Sequence, residues 1–121
     1  MIWNLSMWRD EAYLLDMVLA ARKILKFTEG FTFERFLAEE VVQHAVMRLI
    51  QIMGEASRKV SPGYKEEHPE IPWAGIIGMR HRLIHEYFRV IPEKVWQVIE
   101  RDIPHLISLL EPLVPPEQAL D

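Results

Sequence analysis

Four side chains that could act together on a phosphate ester lie close together in the sequence. They are Arg80, His81, His85 and Tyr87. A guanidinium keeps its charge and can form two parallel hydrogen bonds to a phosphate, whereas an imidazole gains or loses a proton near neutrality. An arginine that binds an anion beside a histidine that transfers a proton is an arrangement suited to general acid–base chemistry at phosphorus.

Arg80 also lies on the apolar face of a predicted helix. Apolar side chains recur there at steps of three and four residues: Trp73, Ile76, Ile77, Leu83, Ile84, Tyr87 and Phe88. A charged residue on such a face needs an acidic partner or a water-filled groove. Two interpretations stay open: a structural ion pair with Glu55 or Glu40, or a functional arginine that Glu55, as an auxiliary residue, holds in place.

The two histidines are four residues apart, which is the spacing of zinc ligands on a helix. Arg82 stands where metalloproteases carry an acid, and its charge opposes a cation. A third ligand such as His44 would have to come from another helix. We therefore predict no metal and no other cofactor, and expect the histidines to transfer protons.

The spacing of these residues limits how they can meet. Around a straight helix, Arg80 and Tyr87 lie within about 20° of each other, and His85 lies about 140° from Arg80. The three side chains cannot converge on one straight helix. Either the helix loosens near Glu86, or a neighbouring helix or a second subunit completes the site.

Hydrophobic periodicity predicts an all-α fold, an up-and-down bundle of four to five helices formed by a single domain over residues 1–121. Four helical segments span about 7–28, 33–60, 72–88 and 92–111. A polar linker follows the second segment, with room for one short helical turn between residues 64 and 70, and residues 112–121 form a loose tail.

Local signals set the ends of these segments. Ser6 and Thr32 are predicted N-caps, and Gly30 is a predicted helix stop. Pro72 suits the first position of the third segment. Pro104 should bend the fourth segment, because proline disrupts the backbone hydrogen bonds of a helix interior.

Composition narrows the class of protein. The 121 residues carry a net charge of −4 and no cysteine, which excludes disulfides and thiolate chemistry and favours a reducing cytoplasm. We expect no signal peptide and no membrane span. The net charge argues against a broad nucleic-acid-coating surface, but the basic residues between 80 and 89 could form a small groove for a phosphodiester or a nucleotide.

Several apolar residues fall outside the main stripes and would be exposed on a monomer: Trp3, Trp8, Leu15, Leu19, Val41 and Ile50. Large exposed apolar surfaces are typical of interaction sites. They predict a homodimer.

Several of these motifs together resemble the HepT-like branch of the HEPN superfamily. The resemblance is carried by Gly54-Glu55-Ala56, Pro72-Trp73, the stretch from Ile76 to Arg80, Leu83-Ile84-His85-x-Tyr87-Phe88 and Val95-Trp96. Members are small helical toxins of two-gene toxin–antitoxin modules (type VII). Their partner is a minimal nucleotidyltransferase of the MntA type.

The resemblance implies a homodimer whose Arg-x-x-x-x-His motifs face a shared cleft and cut RNA without a metal. Arg80 would then stabilise charge on the phosphorane, and His85 would be the general acid or base. Tyr87 would be the residue to which the antitoxin attaches AMP. His81 stands where relatives often carry asparagine, which leaves the choice of base between His81 and His85 open. The alternative is a non-catalytic helical binding module or acceptor substrate for a partner nucleotidyltransferase.

Overall fold

The chain forms a bundle of helices. The computed structural model describes the backbone of residues 5–85 and 91–114 and the side chains of residues 8–83 and 91–114. The elements are α1 (Leu5–Phe27), α2 (Phe33–Ala38), α3 (Glu40–Lys59), α4 (Pro62–Glu67), α5 (Trp73–His85), α6 (Pro92–Gln97), a π-helical turn (Val98–Asp102), α7 (Ile103–Leu110) and a 3₁₀ turn (Glu111–Leu113). These ranges contain no strand, and the predicted all-α fold is confirmed.

Helix α1 packs against α3 on one side and α7 on another. Its core side chains recur at helical spacing and are buried: Leu14, Met17, Val18, Ala21 and Ile24. Gly30 has a φ of +74°, a conformation that glycine adopts without strain, so the predicted stop is confirmed. Ser6 is not the N-cap, because the helix already begins at Leu5.

The predicted second segment is divided at Glu39. The backbone of Glu39 leaves the helical region (φ −111°, ψ 86°) and separates α2 from α3. No glycine or proline marks this break. Instead, the side-chain amide of Gln43 donates hydrogen bonds to the carbonyls of Phe36 and Leu37, which replaces backbone bonds that the break removes. Thr32 caps α2, as predicted, by accepting a hydrogen bond from the backbone N–H of Arg35.

The linker after α3 contains the short helix α4. Ser61 caps α4 by accepting a long hydrogen bond (3.4 Å) from the backbone N–H of Tyr64. Ser61 is itself held by Asp10 of α1, whose two carboxylate oxygens accept from the Ser61 backbone N–H (2.8 Å) and hydroxyl (2.6 Å). This contact joins residues 51 positions apart and ties α4 to the start of the bundle.

Helix α5 crosses α3 at a glycine. A Cβ atom built on Gly54 would lie 2.2 Å from the Cβ of Arg80, much closer than two carbon atoms can approach. The absence of a side chain at Gly54 therefore allows the two helices to touch at Arg80. Helix α5 begins at Trp73, one residue later than predicted. Residues 86–90, including most of the predicted end of this segment, lie outside the described residues.

The fourth segment departs from a regular α-helix next to Pro104, the residue predicted to bend it. Pro104 lies in the first turn of α7, immediately after the π-helical turn. The backbone N–H of Ile103 bonds to the carbonyl of Val98, five residues earlier. Widening the turn in this way accommodates a proline that cannot donate a backbone hydrogen bond and would clash in a regular helix.

The exposed apolar residues agree in part with the prediction. Trp8 (73% exposed), Leu19 (43%) and Val41 (82%) project from α1 and α3. Ile50 was wrongly assigned to this set: it is buried in the core, because it shares a side of α3 with the core residues Val46 and Met53. Among the described residues no helix is long and apolar enough to cross a membrane.

Candidate functional site

Arg80 lies at the contact between α3 and α5, and its guanidinium reaches over α3. Its Nη2 atom lies 2.9 Å from Oε2 of Glu55, and 28% of its side chain is exposed. Gly54 and Glu55 thus act together: the glycine lets Arg80 approach, and the next residue supplies the counter-charge. The other acid weighed as a partner, Glu40, instead lies 3.6 Å from His44.

Glu55 is shared by three cations. Its Oε1 atom accepts a hydrogen bond from Arg58 (2.9 Å) and lies 3.6 Å from Nζ of Lys59. Its Oε2 atom is buried, and its contact with Arg80 has the distance of an ion pair but not the geometry of a hydrogen bond. One negative charge therefore holds three positive charges together, which leaves an excess of positive charge.

The ionisation of Glu55 reflects this arrangement. Its carboxyl pKa lies below the ordinary value. The hydrogen bond from Arg58 is the largest cause, and the charges of Arg58, Arg80 and Lys59 act in the same direction, while burial opposes them. Glu55 therefore stays charged at neutral pH.

A groove opens beside this ion pair, between α1 and α3. Its volume is about 250 Å³. It is lined by Tyr13 and Asp16 of α1, by Arg48, Gln51, Ile52, Glu55, Ala56 and Lys59 of α3, and by Arg80 of α5. Arg80 thus lies at the wall of an open polar groove rather than sealed in the core.

Arg80 and Arg82 of α5 do not line the same groove. Arg80 lines the α1–α3 groove, whereas Arg82 lines a second cavity of about 280 Å³ between α3, α5 and α7. The walls of that cavity are mostly apolar, with Asp102 and His105 among the few polar groups. Two residues along a helix correspond to a rotation of about 200°, so the two arginines point to opposite sides.

The structure describes the two histidines and Tyr87 of the predicted motif only in part. His81 is exposed on α5. His85 is the last described residue of α5, five positions after Arg80 on a continuous α-helix, but its side chain lies outside the described residues. The position of Tyr87 lies outside them altogether. Within the described side chains, no group of three or more His, Asp or Glu residues could hold a metal ion.

Sequence reasoning missed some residues around Arg80. Arg58 and Lys59 stand three and four residues after Glu55, the spacing at which side chains meet on a helix. This spacing alone could have predicted that Arg58 and Lys59 reach the Glu55 carboxylate. The contribution of Tyr13 and Asp16 had no such signal, because it depends on how α1 packs against α3.

Known proteins resemble this chain over most of its length. The model of the family described as "Ribonuclease HepT-like" matches residues 17–113. The chain belongs to the HepT-like family. The matched region includes Glu55, Arg80 and the positions of His85 and Tyr87.

The chain is also similar to individual proteins over most of its length. A protein of Thermococcus cleftensis named "Probable ribonuclease HepT" is 42% identical over 101 residues, covering 84% of this chain and 92% of that protein. A "putative RNase" of Methanocaldococcus jannaschii is 31% identical (84% and 93% covered). One of Caldanaerobacter subterraneus is 32% identical (88% and 95% covered). No solved structure matches the chain.

Proposed function

We propose that this HepT-like protein is a metal-independent RNA endonuclease, the toxin of a two-gene module, and that it works as a homodimer. The proposal rests most directly on Arg80. Its charge is kept at the wall of an open groove by a carboxylate that two other cations share. Such an excess of positive charge favours an anionic ligand, and the names of relatives described as ribonucleases support RNA as that ligand.

The reaction proposed for this site uses the ribose 2′-hydroxyl as its nucleophile. His85 removes the hydroxyl proton while the oxygen attacks the neighbouring phosphorus. The bond to the 5′-oxygen breaks, and that oxygen takes up a proton from a histidine acting as the acid. The products are a 2′,3′-cyclic phosphate and a free 5′-hydroxyl. His81 is the alternative base, because it is the other imidazole on α5.

Arg80 is assigned to the phosphorus. Negative charge grows on the non-bridging oxygens as the phosphorane forms, and a fixed guanidinium stabilises that charge more than it stabilises the starting diester. Glu55 is a positioning residue in this scheme. Its part is to hold Arg80 in place, not to touch RNA.

Homodimer formation is supported by where the exposed apolar residues lie. The exposed Trp8 and Leu19, with the partly exposed Leu15 between them, fall within about 40° of one another around α1, on the side next to Asp16. On α3, Val41 shares a side with Arg48 and Lys59, the groove residues. An interface over these apolar residues would border the groove. It would also resolve the 140° separation of Arg80 and His85, because two protomers would bring both motifs to one cleft.

Regulation by a partner enzyme completes the proposal. We place the AMP acceptor at Tyr87, the tyrosine two positions after His85, and the donor enzyme is an MntA-like minimal nucleotidyltransferase. An AMP group brings a phosphate and a nucleoside near Arg80. Both its bulk and its negative charge would exclude RNA from the cleft.

The proposal is tested on purified protein expressed without its partner. Wild-type protein should release RNA fragments with 2′,3′-cyclic phosphate ends in the presence of a metal chelator, and His85→Ala should not. His81→Ala is the matched control: loss of cleavage with His81→Ala but not with His85→Ala would move the base to His81. Intact RNA after incubation with folded wild-type protein would overturn the nuclease assignment.

Co-expression with the neighbouring gene separates nuclease regulation from the binding-module alternative. Intact-mass analysis should show AMP-sized increments that Tyr87→Phe abolishes, together with loss of RNA cleavage. Increments on a protein that never cuts RNA would establish the acceptor alternative. An unmodified protein that forms no complex with the partner would contradict both.

A further inference from the structure

The groove beside Arg80 extends well beyond the ion pair. Arg48 and Lys59 lie eleven residues apart on α3, within about 20° around its axis and about 16 Å along it. Arg80 enters between them, at the level of Glu55. The three cations therefore form a line along one side of the groove and not a single pocket.

The acids of the groove do not cancel these charges. Glu55 lies among these cations on α3, in contact with Lys59 and Arg80, and it is also bound by Arg58, whereas Asp16 lines the groove from α1. Four cations thus share two carboxylates. A line of excess positive charge about 16 Å long suits an extended polyanion better than one small anion, because successive phosphates can each contact a cation.

The same groove also offers groups suited to a base. Tyr13 is half-buried and packs against the hydrophobic core, which keeps its ring in place as a stacking surface. Asp16 and Gln51 bring a carboxylate and an amide into the same groove, and these groups can accept from and donate to base edges. The volume of about 250 Å³ lies just below the roughly 300–1,000 Å³ of small-ligand pockets.

We propose that the α1–α3 groove is the single-strand binding track of this protein. Arg48 and Lys59 bind phosphates on either side of the scissile one, and Tyr13 stacks on an adjacent base. This inference rests on RNA being the substrate, as proposed above. The inference adds residues that would position the RNA. These residues lie on α1 and α3, outside the Arg-x-x-x-x-His motif.

The test is RNA binding, measured with a strand that cannot be cut. A fluorescein-labelled 2′-O-methyl RNA of twelve nucleotides lacks the free 2′-hydroxyl that cleavage needs. Fluorescence anisotropy gives its dissociation constant at several salt concentrations. The variants are Arg48→Ala, Lys59→Ala and Tyr13→Ala, and the control is Lys26→Ala, an exposed lysine at the far end of α1.

Each lost phosphate contact should lower the slope of log K against log salt by about 0.7. Arg48→Ala and Lys59→Ala should show this change with binding several-fold weaker, whereas Lys26→Ala should match wild type. Tyr13→Ala should weaken binding at least about fivefold without changing the slope, as expected for a stacked base. Tyr13→Phe keeps the ring and should bind as wild type does. If Tyr13→Ala does not fold, Tyr13→Leu, which keeps an apolar contact with the core but not the ring, should show the same loss of binding, and wild-type binding by that variant would refute the stacking role.

The outcomes separate this inference from the proposed nuclease. If wild-type protein cuts RNA but the groove variants bind like Lys26→Ala, the track is refuted and the nuclease stands. If the protein never cuts RNA yet binds it with this dependence on Arg48 and Lys59, the track stands and the nuclease falls. If poly-glutamate displaced the labelled RNA as well as unlabelled RNA of the same total charge did, the groove would be a site for acidic protein segments, and the inference would be overturned.

Discussion

Two carboxylates of this protein, Asp10 and Glu55, are held in different ways. Asp10 is buried and accepts hydrogen bonds from the backbone and hydroxyl of Ser61, which are neutral donors. Glu55 is one-third exposed and is bound by Arg58, Lys59 and Arg80. The contact between the buried Asp10 and Ser61 joins two distant parts of the fold. The arrangement around Glu55 gathers more positive charge than it neutralises, beside an open groove.

This difference indicates how a structural polar contact can be told from a functional one. Around Asp10 both donors of Ser61 bond to a buried carboxylate, so this contact lies within the fold. Around Glu55 the carboxylate fixes the cations in place but leaves their excess charge unsatisfied. We expect changes at Asp10 to reduce stability and changes around Glu55 to reduce activity.

The largest combined effect is expected from Gly54→Ala. The added methyl group would meet the Cβ of Arg80, so α5 must move away from α3. We expect RNA cleavage to fall more than about tenfold, because Arg80 is displaced, and unfolding free energy to fall by about 1–2 kcal/mol, since overpacking outweighs the helix preference of alanine. Thermal unfolding and a cleavage assay measure the two effects.

Gly78→Ala is the matched control for that substitution. Gly78 lies on the same helix, α5, and a Cβ atom there would meet nothing within 4 Å. It should gain up to about 1 kcal/mol from its higher helix preference and cut RNA at the wild-type rate. Equal losses for the two variants would show that the contact at Gly54 does not set the position of Arg80.

Asp10→Ala should reduce stability alone. It leaves the Ser61 N–H and hydroxyl without their partner, a loss of about 1–3 kcal/mol, which corresponds to roughly 3–6 °C in Tm for each kcal/mol. Asp10→Asn keeps one acceptor oxygen and should lose less. At a temperature where both variants are folded, cleavage per folded molecule should equal that of wild type, and a selective loss of activity would contradict the structural role of Asp10.

The smallest effect is a change in the pH dependence of stability at Glu55. Because the folded-state pKa of Glu55 is below the ordinary value of 4.5, its contribution is present above pH 4.5 and is lost as the pH falls through the folded value. Wild-type protein should therefore lose stability more steeply below about pH 4.5 than Glu55→Gln does. Denaturant unfolding at several pH values tests this, and parallel curves would show that Glu55 is not stabilised by its cations.

Much of the scaffold could be predicted from the sequence. Apolar periodicity predicted α1 and α5. Gly30 predicted a helix stop and Pro104 a disruption of the last long helix, because each acts through its own backbone chemistry. The division at Glu39 could not be predicted in this way, since the side chain of Gln43 stabilises it from the next helix. The same holds for Asp10 and Ser61, whose contact depends on the packing of distant segments.

The candidate site was predictable to a similar degree. Arg80 was identified because a charge on an apolar face requires an explanation, and Glu55 was one of its two predicted partners. The separation of Arg80 from Arg82 follows from helical rotation alone. The groove could not be predicted, because Tyr13 and Asp16 reach it only through the packing of α1 on α3.

The most direct test of the account compares Arg80→Ala with Arg82→Ala. The two arginines lie two residues apart but line different cavities. Cleavage of a labelled RNA should fall about 10²–10³-fold for Arg80→Ala, the usual effect of losing one group that stabilises transition-state charge. For Arg82→Ala it should stay within about threefold of wild type. Wild-type cleavage by a folded Arg80→Ala protein, or an equal loss for both variants, would contradict the assignment of Arg80 to the scissile phosphate.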